Sequence, residues 1–231
     1  MELAIVIPVY NEEKTIKNLI QDLNNLVITG NISCQFIIIN DGSTDNSLSV
    51  LRLLESDIQN FKILSGKNSG HGPSILKGYL LSLEHEWVFQ IDSDYDYALS
   101  AFTVLWNNRK KADLLIAERE KRNASFLRNF ATAITHYVIV VVYGKGIKDI
   151  NSPYRLIRTQ KLSLALSYIG SNSFAPNVLI VAYFLKNRFA TFCTFARLNI
   201  KPNNRKSKMS FYMLMGCFKT FTDLLLFRFK I

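Results

Sequence analysis

Three closely spaced aspartates have the clearest potential for chemistry in this sequence. Asp92, Asp94 and Asp96 follow the apolar run 87–91, which places their carboxylates where a buried strand is predicted to end. Carboxylates at this spacing can share one hard cation, and Mg²⁺ or Mn²⁺ held in this way keeps coordination positions for substrate phosphates. Such a cation neutralises the charge on a diphosphate leaving group. The aspartates therefore predict a divalent metal site, and an acidic loop without a ligand is the alternative.

A group of arginines is the second candidate for chemistry. Arg119, Arg122 and Arg128 lie within ten positions of one another, at the start of an apolar segment predicted to be one helix over residues 126–143. Thr132 lies four residues after Arg128, and helical spacing puts both on one face. The guanidinium fork suits phosphate oxygens, so this face is predicted to hold a phosphate. The alternative is a solvated helix face.

Strands and helices that could position these residues alternate through the first half of the chain. Short apolar runs that predict strands are separated by segments with apolar residues at helical spacing. The predicted strands cover residues 3–8, 35–39, 61–64 and 87–91, and predicted helices include 12–26 and 73–83. The less regular second half is predicted to add a strand at 113–118 and a helix at 176–186. This order predicts an α/β fold with a mostly parallel sheet and helices on both faces. Ligands of such sheets bind beyond the carboxyl ends of the strands.

Three polar motifs follow these predicted strand ends. They are Tyr10-Asn11-Glu12 after the first strand, which ends in Val6-Ile7-Pro8, Asn40-Asp41-Gly42-Ser43 after the second and Asp92-Ser93-Asp94 after the fourth. Together they resemble the motifs of the family-2 glycosyltransferases of the GT-A fold. The resemblance implies that Asp92 and Asp94 hold the metal on the diphosphate of a bound nucleotide sugar. It also implies a nucleoside pocket lined by Pro8, Tyr10, Glu12 and Asp41, although a plain turn and helix cap is the alternative for Asp41.

Within this family, the sequence more closely resembles the dolichol-phosphate mannose synthases and the bacterial polyprenyl-phosphate glycosyltransferases. Residues 68–74, Asn-Ser-Gly-His-Gly-Pro-Ser, resemble the glycine-rich turn before their third helix. This implies that Gly72 lets the backbone approach the nucleotide sugar. Residues 149–155, Asp-Ile-Asn-Ser-Pro-Tyr-Arg, resemble their Asp-x-x-small-small-aromatic-Arg segment. Asp96 replaces the glutamine of their Asp-x-Asp-x-Gln motif, and the His-Pro-Pro that usually follows is absent.

The same resemblance implies an acceptor-phosphate site built from basic residues. Arg119 matches an arginine that follows the fifth strand in this group, and Arg128 with Thr132 matches an Arg-x-x-x-Ser pattern. Residues 202–208 resemble a shortened Arg-x-x-Gly-x-Ser-Lys loop, which adds Arg205 as a counter-charge. The predicted catalytic residues are then Arg119, Arg128 and, at the metal, Asp94. The acceptor implied by the resemblance is a dolichyl or undecaprenyl phosphate.

Motifs that the sequence lacks also bear on the acceptor. There is no Gln-x-x-Arg-Trp motif of the polysaccharide synthases, and no Glu-Asp pair that could deprotonate a sugar hydroxyl. A hydroxyl needs such a base, whereas a phosphate monoester is already ionised near neutral pH. We therefore expect inverting transfer of a sugar from a GDP- or UDP-linked donor to a polyprenyl phosphate. A saccharide hydroxyl as acceptor, and a non-catalytic membrane-surface binding module, are the alternatives.

Charge and the C-terminal segment indicate where the protein works. The 231 residues carry a net charge of +10, and residues 186–231 hold ten basic residues and one acidic residue. Residues 209–231 are predicted to form a basic amphipathic helix at a membrane interface, after a glycosyltransferase domain over 1–208. Packing of this helix on the protein's own core or in a dimer is the alternative.

The sequence also argues against a membrane span, a disulfide framework and a nucleic-acid partner. The chain has no apolar run of the roughly 18–20 residues that span a bilayer, so we expect peripheral attachment to the cytoplasmic face of a membrane, or anchoring through segments beyond this chain. Three scattered cysteines without a CxxC pair argue against a disulfide framework and against a cysteine zinc site. Because no aromatic-basic recognition motif accompanies the positive charge, no nucleic-acid partner is expected.

Overall fold

A seven-stranded sheet runs through the computed structural model, which describes residues 1–119, 137, 139–140, 142–144, 147–197 and 211–231. The strands are β1 (Leu3–Val9), β2 (Cys34–Asn40), β3 (Phe61–Ser65), β4 (Trp87–Gln90), β5 (Leu114–Arg119), β6 (Arg155–Arg158) and β7 (Thr191–Ala196). The helices are α1 (Ile16–Thr29), α2 (Ser47–Asp57), α3 (His71–Leu81), α4 (Ser100–Asn107), α5 (Thr159–Leu166), α6 (Pro176–Lys186) and α7 (Phe211–Lys230), with a short 3₁₀ helix at Arg109–Lys111.

The strand order β3-β2-β1-β4-β6-β5-β7 is that of a mixed but mostly parallel sheet. β1 pairs in parallel with β2 and β4, β2 with β3, and β5 with β7. Only β6 runs antiparallel to its neighbours β4 and β5 within the described sheet. The carboxyl ends of β1, β2, β4 and β5 therefore meet at one edge, where the predicted site residues follow them. The predicted α/β architecture is confirmed.

The central strand β1 shows why helices cover both faces of the sheet. All seven of its residues are buried, and successive side chains of a strand point to opposite faces. Ile5 and Ile7 belong to the apolar cluster that includes residues of α1, α2 and α4. Ala4 and Val6 belong to the cluster that includes residues of α3, α5, α6 and α7. The continuous apolar run in β1 is thus explained by burial on both sides.

The C-terminal helix α7 packs one of its faces on this core. Leu224 is fully buried and Phe227 is nearly so, and both belong to the cluster formed around α3 and α6. The Tyr143 hydroxyl donates to the backbone carbonyl of Leu224, and the ammonium of Lys186 donates to the carbonyl of Arg228 at 2.8 Å. The division into 1–208 and 209–231 remains a prediction, and the second of these segments shares a core with the first.

In the second half of the chain, the sequence predicts some of the observed elements and misses others. The predicted segment 113–118 corresponds to β5, and the predicted helix 176–186 corresponds to α6. Helices α4 and α5 and strand β7 were not predicted. Most of the predicted helix 126–143 lies outside the described residues. In the part of the chain that the structure describes, no helix combines the length and the apolar composition needed to cross a membrane.

Candidate functional site

A cleft of about 360 Å³ opens at the edge where β1, β2 and β4 end. It brings together six residues that were predicted from separate motifs to bind nucleotide or metal. These residues are Pro8, Tyr10, Glu12, Asp41, Asp92 and Asp94. The remaining lining residues are Val9, Asn68, Gly70, His71, Ser74 and Ser93. Parallel pairing of the strands is what places these motifs, up to 86 positions apart in the sequence, around one cavity.

Reciprocal hydrogen bonds lock the loop after β1 to the loop after β2. Asn11 has a positive φ of 56°, a conformation that asparagine tolerates better than most residues. Its side-chain oxygen accepts a bond from the backbone N–H of Thr44 at 2.8 Å, and its own N–H donates to the Ser43 hydroxyl at 3.1 Å. The Glu13 carboxylate accepts from the N–H of Asn46 at 3.0 Å. These bonds hold Tyr10 and its neighbours rigidly at one wall of the cleft.

Asp41 shapes the glycine-rich turn that forms another wall of the cleft. Its Oδ1 accepts bonds from the Ser69 N–H at 2.7 Å and the Ser69 hydroxyl at 2.9 Å, and its Oδ2 accepts from the Gly70 N–H at 2.9 Å. Gly70 has a φ of 94°, which side chains other than glycine rarely adopt. Asp41 therefore stabilises the turn at Ser69 and Gly70 from a position that also lines the cavity, and its role in a nucleoside pocket stays a prediction.

Gly72 does not line the cavity but supports it from behind. A Cβ at this position would lie 2.1 Å from the carbonyl oxygen of Ser173 and 2.6 Å from that of Phe174. Only glycine therefore lets the amino-terminal end of α3 pack against the segment that precedes α6. The role of Gly72 toward a nucleotide sugar stays a prediction.

The aspartate motif after β4 places negative charge inside the cleft. Oδ1 of Asp92 lies 3.3 Å from the Gln90 side-chain nitrogen and 3.4 Å from Nε2 of His71. Burial, the hydrogen bond with Asp96 and the charges of Asp92 and Asp96 raise the pKa of Asp94 to about 8. Asp96 is buried, donates its backbone N–H to Asp94 at 3.3 Å, and is not among the residues that line the cleft.

The carboxylate oxygens of this motif suit a cation that also coordinates a substrate. The raised pKa of Asp94 means that its charged form is poorly compensated by the surrounding protein, and a divalent cation would compensate it. Among the residues described, no group of three His, Cys, Asp or Glu side chains is arranged to hold a metal by itself. Mg²⁺ commonly uses one or two carboxylates together with waters and substrate phosphates. Asp92 and Asp94, which both line the cleft, suit that arrangement.

Arg119 at the end of β5 is held by an ion pair. Its Nε lies 2.7 Å from Oδ2 of Asp149 and its Nη2 lies 3.0 Å from Oδ1, while its backbone N–H also donates to Oδ2. Burial opposes the charge on each group, and the pairing outweighs burial: the pKa of Arg119 is raised and that of Asp149 is lowered. The charge of Asp92 also raises the pKa of Arg119, so the guanidinium is electrostatically coupled to the cleft.

The other predicted residues of the acceptor-phosphate site cannot be placed relative to Arg119. Arg128, Thr132 and Arg205 lie outside the described residues. Their roles remain predictions from the sequence.

Comparison with known proteins now decides the family. The family model described as glycosyl transferase family 2 matches residues 4–164, which include β2, β4 and all six of the predicted residues in the cleft. The chain belongs to glycosyl transferase family 2. The resemblance drawn from the three strand-end motifs is thereby confirmed.

Two relatives of this family-2 chain have names that refer to lipid phosphates. The dolichyl-phosphate beta-glucosyltransferase ALG5D of Trichomonas vaginalis is 24% identical over 200 residues, which cover 78% of this chain and 61% of that protein. The undecaprenyl-phosphate 4-deoxy-4-formamido-L-arabinose transferase of Salmonella choleraesuis is 25% identical over 178 residues, which cover 76% of this chain and 54% of that protein. The chain thus spans between 54% and 61% of the length of these relatives.

A solved structure shows that the family-2 chain has the GT-A fold. Glucosyl-3-phosphoglycerate synthase from Mycobacterium tuberculosis, crystallised with Mn²⁺, UDP-glucose and phosphoglyceric acid, superposes with a TM-score of 0.68. The superposition covers 98% of this chain and 79% of that chain at 15% sequence identity.

Sequence reasoning missed a set of buried polar residues behind the cleft in this family-2 chain. Gln90 and Arg155 are fully buried and Asn177 is nearly so. Gln90 and Asn177 interrupt otherwise apolar segments, the strand β4 and the helix α6. A polar residue within an apolar run was the available signal, because a buried polar group needs a hydrogen-bond partner. His71, which contacts Asp92, was quoted within a motif but given no role.

Proposed function

We propose that this protein transfers one sugar, with inversion, from a nucleoside diphosphate sugar to the phosphate of a polyprenyl lipid. The observation that carries the donor half is the cleft itself. It gathers Asp41, Glu12 and the Asp92–Asp94 pair from three strand ends into one cavity, in a chain that belongs to glycosyl transferase family 2. A GDP- or UDP-linked sugar fits this description.

In the proposed complex, the nucleoside lies between the loops that follow β1 and β2. Tyr10 is half-exposed at the cleft and offers its ring to the base. Asp92 and Asp94 would hold Mg²⁺ or Mn²⁺ against the diphosphate, and such a cation supplies positive charge to the departing group. His71, whose side chain is 59% exposed beside Asp92, can donate a hydrogen bond to the same diphosphate.

The acceptor half of the proposal is supported by relatives and by charge. The two relatives described above are named for transfer to dolichyl phosphate and undecaprenyl phosphate. A phosphate monoester attacks without a general base, so cationic groups that orient it matter more than a base. In the described contacts, Asp149 engages Nε and Nη2 of Arg119, which leaves Nη1 for a phosphate oxygen. Arg128, Thr132 and Arg205 are proposed to complete this site.

The outer face of α7 supports a membrane location for the reaction. Opposite the packed face, apolar side chains form an exposed stripe that we call the α7 stripe: Met215, Phe218, Leu225, Leu226 and Phe229. Phe229 is 88% exposed and Phe218 is 67% exposed. Lys219 and Lys230 lie beside the stripe on the helix, and both are exposed. An apolar stripe with flanking lysines suits the interface of an anionic membrane, and we propose the cytoplasmic face.

The proposal is tested by a donor and acceptor screen on the purified chain. UDP- and GDP-linked radiolabelled sugars are incubated with Mn²⁺ or Mg²⁺ and either undecaprenyl phosphate, dolichyl phosphate or a set of free saccharides. We expect label to enter the organic phase with a lipid phosphate and to stay in water when the metal is chelated. Label transferred better to a free saccharide would identify a hydroxyl acceptor, and no metal-dependent turnover of any donor would favour a non-catalytic binding module.

A further inference from the structure

We propose that Gln90 is a positioning residue that orients the Asp92 carboxylate toward the cation and the donor diphosphate. This inference rests on the proposed function, since it assigns how one ligand of that site is held. Gln90 is the last residue of β4 and is fully buried. Its side-chain Nε2 donates to Oδ1 of Asp92 at 3.3 Å.

A directed series of hydrogen bonds fixes which way the Gln90 amide faces. The Tyr79 hydroxyl lies 3.0 Å from the side-chain oxygen of Asn177 and 3.3 Å from Oε1 of Gln90, and it donates toward these two oxygens. The amide nitrogen of Asn177 then donates to Oε1 of Gln90 at 2.9 Å. Because Oε1 is occupied as an acceptor, the amide must present its NH₂ group to Asp92. Burial raises the pKa of Tyr79, so the hydroxyl keeps the proton with which the series begins.

The fully buried Arg155 anchors Asn177, the residue between Tyr79 and Gln90 in this series. Its Nη1 donates to the backbone carbonyl of Asn177 at 3.1 Å, which fixes the first turn of α6. The rest of the guanidinium is held by backbone carbonyls: Nε donates to Ser152 at 2.8 Å and Nη2 to Ile150 at 3.2 Å. Asn177 is therefore fixed through its backbone as well as its side chain, and it cannot easily turn its amide away from Gln90.

As a consequence, one oxygen of the Asp92 carboxylate is hydrogen-bonded to protein groups and the other is available to a cation. Both contacts that the structure describes for the Asp92 carboxylate, from Gln90 and from His71, go to Oδ1. Oδ2 is therefore the oxygen left for a cation. Loss of a partner that orients a metal ligand typically weakens metal binding about 10- to 100-fold. We expect a loss of that size, about tenfold or more, when the NH₂ group of Gln90 is removed.

The test uses the whole chain and measures binding without turnover. Mn²⁺ is titrated by electron paramagnetic resonance in the presence of UDP or GDP, and each nucleotide is titrated by calorimetry with Mn²⁺ and with EDTA. Gln90→Met keeps the length of the side chain and removes the donor that faces Asp92 without adding charge. Asn177→Leu removes the bond that orients Gln90, also without adding charge, and Tyr79→Phe removes the hydroxyl that contacts both amide oxygens. Ser82→Ala is the matched control, because Ser82 is equally buried and donates to the Tyr79 carbonyl at 2.7 Å.

We expect Gln90→Met and Asn177→Leu to weaken Mn²⁺ binding about tenfold or more, while nucleotide affinity in EDTA and circular dichroism remain as in the wild type. Tyr79→Phe should have a smaller effect in the same direction, and Ser82→Ala should have none. If Gln90→Met does not fold, Asn177→Leu and Tyr79→Phe decide the question. Unchanged Mn²⁺ binding in the folded variants would overturn the positioning role alone.

A second outcome separates this inference from a purely structural effect. If the variants lose nucleotide affinity in EDTA to the same extent as with Mn²⁺, the residues support the fold of the cleft and do not position Asp92. A wild-type protein that binds neither nucleotide in a Mn²⁺-dependent manner would overturn the proposed function, and the positioning role with it.

Discussion

Carboxylates lie in opposite electrostatic environments on the two sides of this sheet edge, the proposed donor side around Asp41, Asp92 and Asp94 and the side around Arg119. On the donor side, Asp41 and Asp92 are held by neutral N–H groups, and the pKa of Asp94 is raised to about 8. On the other side, Asp149 is paired with the Arg119 guanidinium and its pKa is lowered. The difference shows where charge is left for a ligand. Among the described residues no cation is paired with Asp94, whereas Arg119 already has the Asp149 carboxylate as its counter-ion.

The largest expected effect follows from removing the donor-side charge. Asp94→Ala should reduce turnover by at least about a thousandfold, because a cation on the leaving diphosphate is worth several kcal/mol in the transition state. Steady-state transfer assays at saturating Mn²⁺ measure this. Asp57→Asn, an exposed aspartate at the end of α2, is the control and should retain wild-type activity. Full activity of Asp94→Ala, or of the wild type in excess EDTA, would contradict the metal assignment.

The role of Arg119 is tested by comparing the loss of its guanidinium with the loss of its ion-pair partner, Asp149. Arg119→Ala should slow transfer to a lipid phosphate by at least about tenfold, or about 1.4 kcal/mol of barrier, and barely change donor affinity. Asp149→Asn removes the ion pair but keeps the guanidinium, so its effect on transfer should be smaller. For each variant, lipid transfer and nucleotide binding are measured on the same preparation. Equal losses from the two substitutions would mean that Arg119 serves only the ion pair.

The hydrogen bonds from neutral groups that hold Asp41 provide a third test of the comparison. Asp41→Ala leaves the N–H groups of Ser69 and Gly70 without their acceptor, and a lost buried hydrogen bond costs roughly 1 to 3 kcal/mol. We expect nucleoside diphosphate affinity to fall by that amount whichever sugar is attached. Asp41→Asn retains one acceptor oxygen and should lose less. Calorimetry that shows unchanged affinity for Asp41→Ala would remove Asp41 from the nucleoside pocket.

The smallest effect is expected from the outer face of α7. Replacing Phe218 and Phe229 with serine should weaken co-sedimentation with anionic vesicles severalfold, because both rings are largely exposed and contribute apolar area to a membrane interface. The change should leave unfolding temperature unaffected. Phe227→Ser, on the packed face of the same helix, is the contrasting variant and should lower the unfolding temperature. Vesicle binding that is equal in the wild type and the double variant would mean that the α7 stripe serves another partner.

The donor side was largely predictable from the sequence, and the reason is local. Each of β1, β2 and β4 is a continuous buried run followed at once by its polar motif, so the strand and its site residues are read from one stretch of chain. Parallel pairing then brings the motifs together. The edge strand β7 was missed because it is only partly buried and its run Thr191–Ala196 carries a weak apolar signal.

The hydrogen-bond series behind the cleft could not be predicted in the same way. Gln90 and Asn177 are 87 positions apart, and Tyr79 reaches Asn177 from a third element, α3. No spacing rule links such residues, since their contact depends on how α3 and α6 pack on the sheet. The ion pair of Arg119 with Asp149, across 30 positions, was missed for the same reason, although both residues were noticed within separate motifs.

The central claim is tested most directly by a pair of matched acceptors. Undecaprenyl phosphate and undecaprenol differ only in the phosphate, so transfer from the active nucleotide sugar to each, with Mn²⁺ and with EDTA, isolates the group that attacks. We predict radiolabelled lipid only with the phosphate and only with Mn²⁺. Equal labelling of undecaprenol, or labelling that persists in EDTA, would contradict the claim that a metal-held donor is attacked by a lipid phosphate.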